Sequence, residues 1–455
     1  MKSRAHLAVR PVLLLLLLIS NFVVIKSLPV DTQIPFQNVS IFAAHPYQTT
    51  AMDSFLTTIH TRLETEPEAQ VILVTGNESA DLDSIVSALT TSFFLSRLVI
   101  NKQIIVLPFI NIPKIDLALR SDVEYALSSN HIDSSQIFFR DHLPILEQLA
   151  RKSQLSLFLV DHNKVADSMS SLLSSAQDSG SDAVVKIVGV IDHHVDENLY
   201  IDTADPRRIE VVGSCTSLVT DQFFKQAVDS EDQDNNSWIQ QVSRLLLGPI
   251  LIDTKNLNPE MKKVQPLDIA MTKLIFPYTG WASMDDLYNK LSEAREDTSK
   301  LSCYDLLRKD YKEWTVTQNG TGQTIKVGIS SVSGLMEKYL ERDGKEVLQD
   351  AIDLWSENQT LDLLLVMLSG DMGKGYQRQL IVNPISSSSK AFPGQIERVP
   401  ELQLERTELV DTDAFLKRGG RAYFQLNTEF SRKQVWPVVE KLLTQPSSSS
   451  QTSNL

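Results

Sequence analysis

Between residues 70 and 255, short apolar runs rich in Val, Ile and Leu alternate with longer segments of helical character. The strand-like runs are Val71–Val74, Ile104–Leu107, Leu155–Val160 and Val184–Ile191. The helix-like segments are Ser84–Leu98, Val165–Ala176 and Trp238–Leu247. Because this alternation is typical of βαβ units, we predict an α/β domain with an open parallel sheet and helices on both faces. Ligands of such sheets bind at the carboxyl ends of the strands.

A second region, residues 276–442, is predicted to be a smaller α+β domain. Its strand-like runs are Thr324–Val332, Leu361–Leu368, Gln379–Val382 and Ala422–Leu426, and its main helical pattern is Leu335–Glu357. The stretch 256–275 contains Asn258 and Pro259 near its start and is the predicted linker after a first domain at 35–255. Residues 443–455 are rich in Ser and are predicted to be a disordered tail.

The first 27 residues combine basic residues with the unbroken apolar stretch Leu13–Leu18, and the first acidic residue of the chain is Asp31. This pattern predicts a secretory signal peptide at 1–27 and hence a secreted or vacuolar protein without stable membrane insertion after cleavage. A mitochondrial transit peptide and an uncleaved signal anchor are the alternatives. Sequons that would accept glycans in that case occur at Asn38, Asn77, Asn235, Asn319 and Asn358. Whether Cys215 and Cys303 form a disulfide is left open.

The formal net charge of −14 disfavours a broad nucleic-acid surface, so no nucleic-acid partner is predicted. It does not exclude a polyanionic substrate, because a local basic site with bound metal ions can outweigh a distant acidic surface.

Four clusters of acidic residues and histidines follow apolar runs. They are Gly76–Ser84 (GNESADLDS), Asp161–Asn163 (DHN), Asp192–His194 (DHH) and Asp253. Each alone is compatible with helix capping or polar surface. If neighbouring strands of one sheet bring them to one edge, however, the crowded carboxylates repel one another unless a cation compensates. We therefore predict a site for Mg²⁺ or Mn²⁺, with Co²⁺ as an alternative, and two such ions are suited to phosphoryl hydrolysis.

In order and spacing, these four clusters resemble the motifs of the DHH phosphoesterases. The closer resemblance is to the fungal-type exopolyphosphatases, which are related to the family II pyrophosphatases and the prune proteins. The segment Val212–Thr216 also resembles this branch, whereas Asp310–Lys312 and Ser431–Val435 resemble its C-terminal DHHA2 domain. The resemblance covers residues 50–442 and implies a DHH domain followed by a DHHA2 domain.

The resemblance also implies roles for individual residues. One metal would be held by Asn77, Asp81 and Asp161, and the other by Asp83, Asp161, His193 and Asp253. Asp192 would orient an imidazole, and His194, Lys312, Arg432 and Lys433 would contact the substrate. The predicted catalytic residues are Asp161, His194, Arg432 and Lys433.

The implied activity is metal-dependent hydrolysis of the terminal phosphoanhydride bond of polyphosphate by an activated hydroxide, with release of orthophosphate. Asn77 favours this activity over that of the pyrophosphatases, which carry His there. The intact pair His193–His194 favours it over the prune proteins. The alternatives are a pyrophosphatase, a prune-like short-chain polyphosphatase or cyclic-nucleotide phosphodiesterase, and a non-catalytic metal-binding interaction protein. The sequence does not indicate the oligomeric state.

Overall fold

The computed structural model describes residues 50–98, 103–177, 184–229, 237–319, 322–407 and 419–444. The signal peptide predicted at 1–27 lies outside these residues, as does the predicted tail beyond Thr444. No helix within the described ranges is long and apolar enough to cross a membrane. The chain divides into two compact units, the first ending at Arg295 and the second starting at Glu296.

The first unit contains a six-stranded sheet in which all neighbouring strands are parallel. Its strands are β1 (Gln70–Thr75), β2 (Ile104–Ile110), β3 (Phe138–Phe139), β4 (Leu155–Val160), β5 (Lys186–Asp192) and β6 (Arg207–Ile209). The order across the sheet is β3-β2-β1-β4-β5-β6, so β1 and β4 are neighbours although two strands separate them in sequence. Strand order reverses between β1 and β4, and open α/β sheets bind ligands outside the carboxyl ends of the strands at such a point.

Helices connect these strands and follow them. They are α1 (Ala51–Thr65), α2 (Leu82–Leu98), α3 (Ser121–Ser129), α4 (Leu143–Arg151), α5 (Ser170–Gln177), α6 (Cys215–Val219), α7 (Lys225–Asp229), α8 (Ser237–Asp253), α9 (Pro266–Thr279) and α10 (Met284–Glu296). With the parallel sheet, they confirm the predicted α/β class of the first unit.

Helices α2 and α8 pack side by side in the core of the first unit. Every residue of α2 from Leu82 to Leu95 is buried, so its polar residues are enclosed together with its apolar ones. Near one end of the pair, the Phe93 ring lies 5.6 Å from the Trp238 ring. Near the other end, a Cβ placed on Gly248 would lie 3.8 Å from Leu82. The start of α2 therefore lies beside the end of α8.

This packing changes the predicted origin of Asp253. The apolar run before Asp253 predicts that a strand brings this residue to the sheet edge, but Asp253 is the last residue of α8. The apolar stretch before it is continuous because α8 is buried between α2 and α9. An apolar run of this length fits a buried helix and a buried strand equally well.

The linker predicted at 256–275 also differs from the structure. Pro266–Thr279 is a helix packed against α8, and the division into units falls at residues 295 and 296. The turn signals near Pro259 mark a short 3₁₀ helix, Pro259–Met261, within the first unit.

The second unit contains a six-stranded mixed sheet. Its strands are β7 (Tyr311–Thr317), β8 (Thr324–Ser333), β9 (Leu363–Asp371), β10 (Tyr376–Pro384), β11 (Leu404–Arg406) and β12 (Arg421–Gln425). They are ordered β11-β12-β10-β9-β8-β7, and only β8 and β9 are parallel neighbours. The helices are α11 (Cys303–Lys309), α12 (Met336–Asp343), α13 (Lys345–Asn358), α14 (Phe392–Ile396) and α15 (Arg432–Thr444). The predicted α+β class of this unit is confirmed.

The single long helix predicted at 335–357 is two helices, α12 and α13. They meet at Gly344, whose φ of +87° interrupts the helical path and is readily adopted by glycine.

Candidate metal centre

The turn after β1 requires a glycine and is closed by polar contacts. A Cβ on Gly76 would lie 2.1 Å from the Ser84 hydroxyl oxygen, so a side chain there would displace the start of α2. The Asn77 backbone amide donates to that same hydroxyl at 2.7 Å. Asp81 Oδ1 accepts from the Ser84 amide at 3.1 Å, and thus Asp81 caps α2 while its side chain is exposed. One oxygen of Asp81 therefore caps the helix, and its other oxygen is left for a metal ion.

The Asn77 side chain is oriented differently from the metal ligand that the sequence predicts. Its amide oxygen accepts from the Ser79 amide at 2.9 Å, the Ser79 hydroxyl at 2.8 Å and the Ala80 amide at 3.1 Å. Its amide nitrogen donates to Asp161 Oδ2 at 2.8 Å. Because three donors face the oxygen, this orientation is the one that satisfies the network. In this geometry Asn77 orients Asp161 and does not offer its oxygen to a metal.

Asp161 follows β4 directly and has a left-handed backbone, with φ of +60°. Its amide donates to the Ile191 carbonyl at 3.0 Å, which ties the end of β4 to β5. Asp tolerates this conformation better than most residues, and the turn directs its buried carboxylate toward the motif after β5.

Asp192 organises the turn that carries the two histidines. Its Oδ1 accepts from the His193 amide at 2.8 Å, the His194 amide at 3.2 Å and His194 Nδ1 at 2.8 Å. Its Oδ2 accepts from Asn163 Nδ2 at 2.5 Å. Burial alone would raise the pKa of this carboxyl, but the hydrogen bonds from His194 and Asn163 hold it below its ordinary value.

His193 points a ring nitrogen at two carboxylates. Its Nδ1 is 2.9 Å from the Val212 carbonyl, which can only accept, so Nδ1 carries the proton. Its Nε2 lies 3.2 Å from Asp161 Oδ1 and 3.7 Å from Asp83 Oδ2. In the neutral imidazole this places a lone pair against carboxylate oxygens, an arrangement that requires either a second proton or a metal ion.

Asp83 lies in the first turn of α2 and is buried. Its Oδ1 accepts from the Ser214 hydroxyl at 2.7 Å and the Thr216 amide at 2.9 Å, and its Oδ2 accepts from the Cys215 amide at 2.6 Å. The segment that follows β6 therefore fixes this carboxylate from one side.

The charges of this cluster are strongly coupled. Desolvation and the Asp83 carboxylate raise the pKa of Asp161 to about 7. Desolvation, followed by the carboxylates of Asp83 and Asp81, raises the pKa of Asp253 to about 8, so Asp253 faces the same cluster. Burial opposes protonation of His193, yet the nearby carboxylates of Asp161 and Asp83 raise its pKa to about 10. Without a metal, the surroundings of Asp161 and Asp253 therefore keep these carboxyls protonated to a higher pH than is usual for Asp.

These residues fit divalent cations. Ligand atoms of Asp161, His193 and His194 lie within 4.8 Å of one another. Among the described residues no donor makes a well-formed hydrogen bond to the buried Asp161 Oδ1. A carboxylate-rich donor set with imidazole nitrogens suits Mg²⁺, Mn²⁺ or Co²⁺.

Comparison with known proteins identifies the family. Residues 71–250 match the family model "DHH family, N-terminal domain", and residues 289–442 match "DHHA2 domain". The chain is 32% identical over 371 residues to the "Putative exopolyphosphatase" of Schizosaccharomyces pombe, covering 80% of this chain and 89% of that protein. The chain belongs to the DHH phosphoesterase family. It is also 29% identical to human "Exopolyphosphatase PRUNE1", over 86% of this chain and 80% of that protein. The "Manganese-dependent inorganic pyrophosphatase" of Bacillus subtilis is 25% identical, over 72% of this chain and 91% of that protein.

In the DHHA2 unit of this phosphoesterase, the three predicted substrate cations have different environments. Lys312 on β7 and Lys433 on α15 are exposed. Arg432 donates to Asp310, with Nη2 at 2.5 Å from Oδ1 and Nη1 at 2.9 Å from the backbone carbonyl. Arg432 is thus held by a partner of its own unit, and its orientation depends on that ion pair.

Within the DHH unit, Asn163 is the third residue of the DHN motif, and the sequence predicts no role for it. Its side chain donates to Asp192 and to the Val195 carbonyl, and its Oδ1 accepts from the Glu197 amide. The position of Asn163, two residues after the strand-end Asp161, is the sequence signal that could have indicated this role, and its burial shows why its side chain needs these partners.

Proposed function

We propose that this DHH phosphoesterase is a divalent-metal-dependent exopolyphosphatase that releases orthophosphate from the end of inorganic polyphosphate. The observation that carries the proposal is the position of His193 Nε2, 3.2 Å from Asp161 Oδ1 and 3.7 Å from Asp83 Oδ2. Relatives named as exopolyphosphatases, at 29% and 32% identity, support the substrate class. Asn77, where the resembling pyrophosphatases carry His, favours polyphosphate over pyrophosphate.

The residues suited to hold two metals are Asp81, Asp83, Asp161, His193 and Asp253. When bound, such ions neutralise charge on the phosphoryl oxygens and lower the pKa of an attacking water. Asp161 lies between the other groups, since Asn77 and His193 both contact it. It is therefore the residue best placed to serve both ions.

His194 is proposed to donate a hydrogen bond or a proton to a phosphate oxygen. Its ring is exposed, and its Nδ1 donates to Asp192 at 2.8 Å, which fixes the ring and directs Nε2 away from that carboxylate. The hydrogen bond with Asp192 raises the pKa of His194, so the ring keeps a proton on Nε2 to higher pH. This is the state that a general acid requires.

The DHHA2 cations are proposed to bind the phosphates of the substrate. Lys312 and Lys433 carry exposed charges. The hydrogen bond to Asp310 fixes the orientation of the planar Arg432 guanidinium before substrate binds. A chain of phosphates has enough charge to engage all three, and pyrophosphate has less.

The test is phosphate release by the full chain after removal of metal with EDTA and re-addition of Mg²⁺, Mn²⁺ or Co²⁺. Long polyphosphate, triphosphate, pyrophosphate and a cyclic nucleotide are compared at equal phosphate concentration. We expect metal-dependent turnover with kcat/KM highest for a polyphosphate. A preference for pyrophosphate would indicate a pyrophosphatase, and hydrolysis of none of the four would favour an interaction protein.

We further propose that the protein enters the secretory pathway. The basic, leucine-rich N-terminus supports this, and the sequons at Asn319 and Asn358 are on exposed residues. N-terminal sequencing of the native protein should begin after residue 27. A soluble cytosolic form that retains Met1, or a cleaved form isolated from mitochondria, would contradict the proposal.

A further inference from the structure

The segment Val212–Ser217, called the 212–217 segment below, supports two predicted ligands of the same metal. The Val212 carbonyl accepts from His193, while Ser214, Cys215 and Thr216 together donate three hydrogen bonds to Asp83. The position of this segment therefore sets the spacing of the two side chains, whose Nε2 and Oδ2 atoms are 3.7 Å apart.

Asp268, in the first turn of α9, accepts hydrogen bonds from this segment and holds it in place. Its side chain is fully buried. Its Oδ2 accepts from the Gly213 amide and the Gln265 amide, both at 2.8 Å, and its Oδ1 accepts from the Ser217 hydroxyl at 2.6 Å. Among the described residues no cation pairs with Asp268, so these three donors are what compensates the cost of its burial.

The contact at Gly213 is close on both sides. A Cβ there would lie 2.8 Å from Asp268 Oδ2 and 2.5 Å from Thr254 Cγ2. Thr254 directly follows Asp253, which is a third predicted ligand of this metal. The Gly213 backbone therefore lies between Asp268 and the residue next to that ligand. Asp268 thus supports the backbone that holds Asp83 and His193, and this backbone also packs beside Thr254, the residue after Asp253.

We propose that Asp268 is a positioning residue for one of the two metals, the one predicted at Asp83, Asp161, His193 and Asp253. The other metal, predicted at the turn after β1, does not depend on the 212–217 segment through any described hydrogen bond. The inference rests on the proposed two-metal function. Removing such an outer contact lowers metal affinity about 10–100-fold.

Two substitutions separate positioning from charge. Asp268→Ala removes all three hydrogen bonds. Asp268→Asn can keep them, because its amide oxygen can accept from Gly213 and Gln265 while its amide nitrogen donates to the Ser217 hydroxyl. We therefore expect Asp268→Ala to weaken one metal about 10–100-fold and Asp268→Asn to bind both metals nearly as the wild type does.

Gln241 provides a matched control in the same unit. It lies on α8, its Oε1 accepts from the Met52 amide at 3.0 Å, and its Nε2 donates to the Asn130 carbonyl at 2.7 Å. Gln241 lies twelve positions before Asp253, which places it about 18 Å from that end of the helix. Gln241→Ala should lose stability as Asp268→Ala does while retaining both metals.

The measurement is equilibrium dialysis of the full chain against Mn²⁺, with far-UV circular dichroism to confirm folding. Fewer than two bound ions in the wild type would contradict the proposed function itself. Two ions in the wild type with unchanged affinities in Asp268→Ala would overturn only the positioning role. Equal losses in the Ala and Asn variants would assign the effect to charge and would also overturn it.

Should Asp268→Ala fail to fold, Ser217→Ala removes a single contact of the same carboxylate. It should weaken the same metal by a few-fold and leave the other unchanged. Wild-type affinities for both metals in this folded variant would overturn the inference.

Discussion

Replacing Asp192 by Asn changes one atom and should disturb both the stability and the chemistry of the site. The carboxylate accepts from three donors of the histidine turn at one oxygen and from Asn163 at the other. The amide in Asp192→Asn would have only one accepting oxygen, whereas both sides of the present carboxylate face donors. In either orientation its nitrogen would therefore face a donor, either the histidine turn or Asn163. The better orientation keeps the histidine contacts and places two amide nitrogens against each other at the position of the present 2.5 Å contact.

The cost follows from the surroundings of Asn163. This side chain does not turn to relieve the clash, because its oxygen accepts from the Glu197 amide at 2.8 Å and its nitrogen donates to the Val195 carbonyl at 2.9 Å. A buried donor left without an acceptor costs about 1–3 kcal/mol in the free energy of unfolding. Loss of the carboxylate that orients a histidine lowers activity about 10–100-fold.

The pH dependence has a defined sign. Since Asp192 raises the pKa of His194, the Asn variant should protonate His194 only at lower pH. If His194 donates a proton, the alkaline limb of the kcat profile moves to lower pH. The assay is phosphate release between pH 5 and 9, combined with urea unfolding.

A second variant, Asp192→Asn with Asn163→Asp, restores a donor–acceptor pair without restoring the charge beside His194. Stability should recover in part while turnover stays low. Wild-type turnover and pH profile in folded Asp192→Asn would refute the orienting role. Unchanged stability in that variant would refute the contact with Asn163.

Three further predictions concern the metals and the phosphates. Asp161→Ala should keep its fold by circular dichroism and lose several orders of magnitude in phosphate release, and wild-type turnover would contradict the assignment. After EDTA treatment, the raised pKa values of Asp161, about 7, and Asp253, about 8, contribute stability that is full below about pH 4 and is lost as pH rises through 7 and 8. Thermal unfolding with and without Mn²⁺ checks this, since the metal should remove the loss. Lys433→Ala should raise KM for polyphosphate without changing stability, whereas Arg432→Ala should also destabilise the chain by breaking its ion pair with Asp310. Equal melting temperatures of the two variants would contradict that distinction.

The parts of the fold set by local patterns were predictable. Continuous apolar strands such as Leu155–Val160 indicate a buried parallel sheet, and the topology brings Asp161 after β4 and Asp192 at the end of β5 to the same sheet edge. The helix that ends at Asp253 and the order of the strands could not be predicted in the same way. The end of α8 at Asp253 followed a stretch whose apolar character fits a buried helix and a strand equally well, and the strand order that pairs β1 with β4 is not encoded locally.

The ligand set was predictable as a group of residue types, but the orientation of each group was not. The role of Asn77 depends on which end of its amide meets Ser79 and Ala80, and this is decided by the turn geometry after β1. Asp268 lies 15 residues beyond the last motif residue, 253, and the sequence gives no sign that it contacts Gly213. Contacts between segments distant in sequence are fixed by packing and are absent from any local pattern.

The start of α2 beside the end of α8 has a consequence for how the protein is made. A ribosome delivers Asp83 and Asp161 long before Asp253, and domains fold as units during synthesis. The full set of ligands therefore cannot come together until the last turn of α8 has emerged. Capture of a full complement of metal ions becomes a late step in biogenesis, and any chain interrupted before residue 253 yields a sheet that cannot complete its centre.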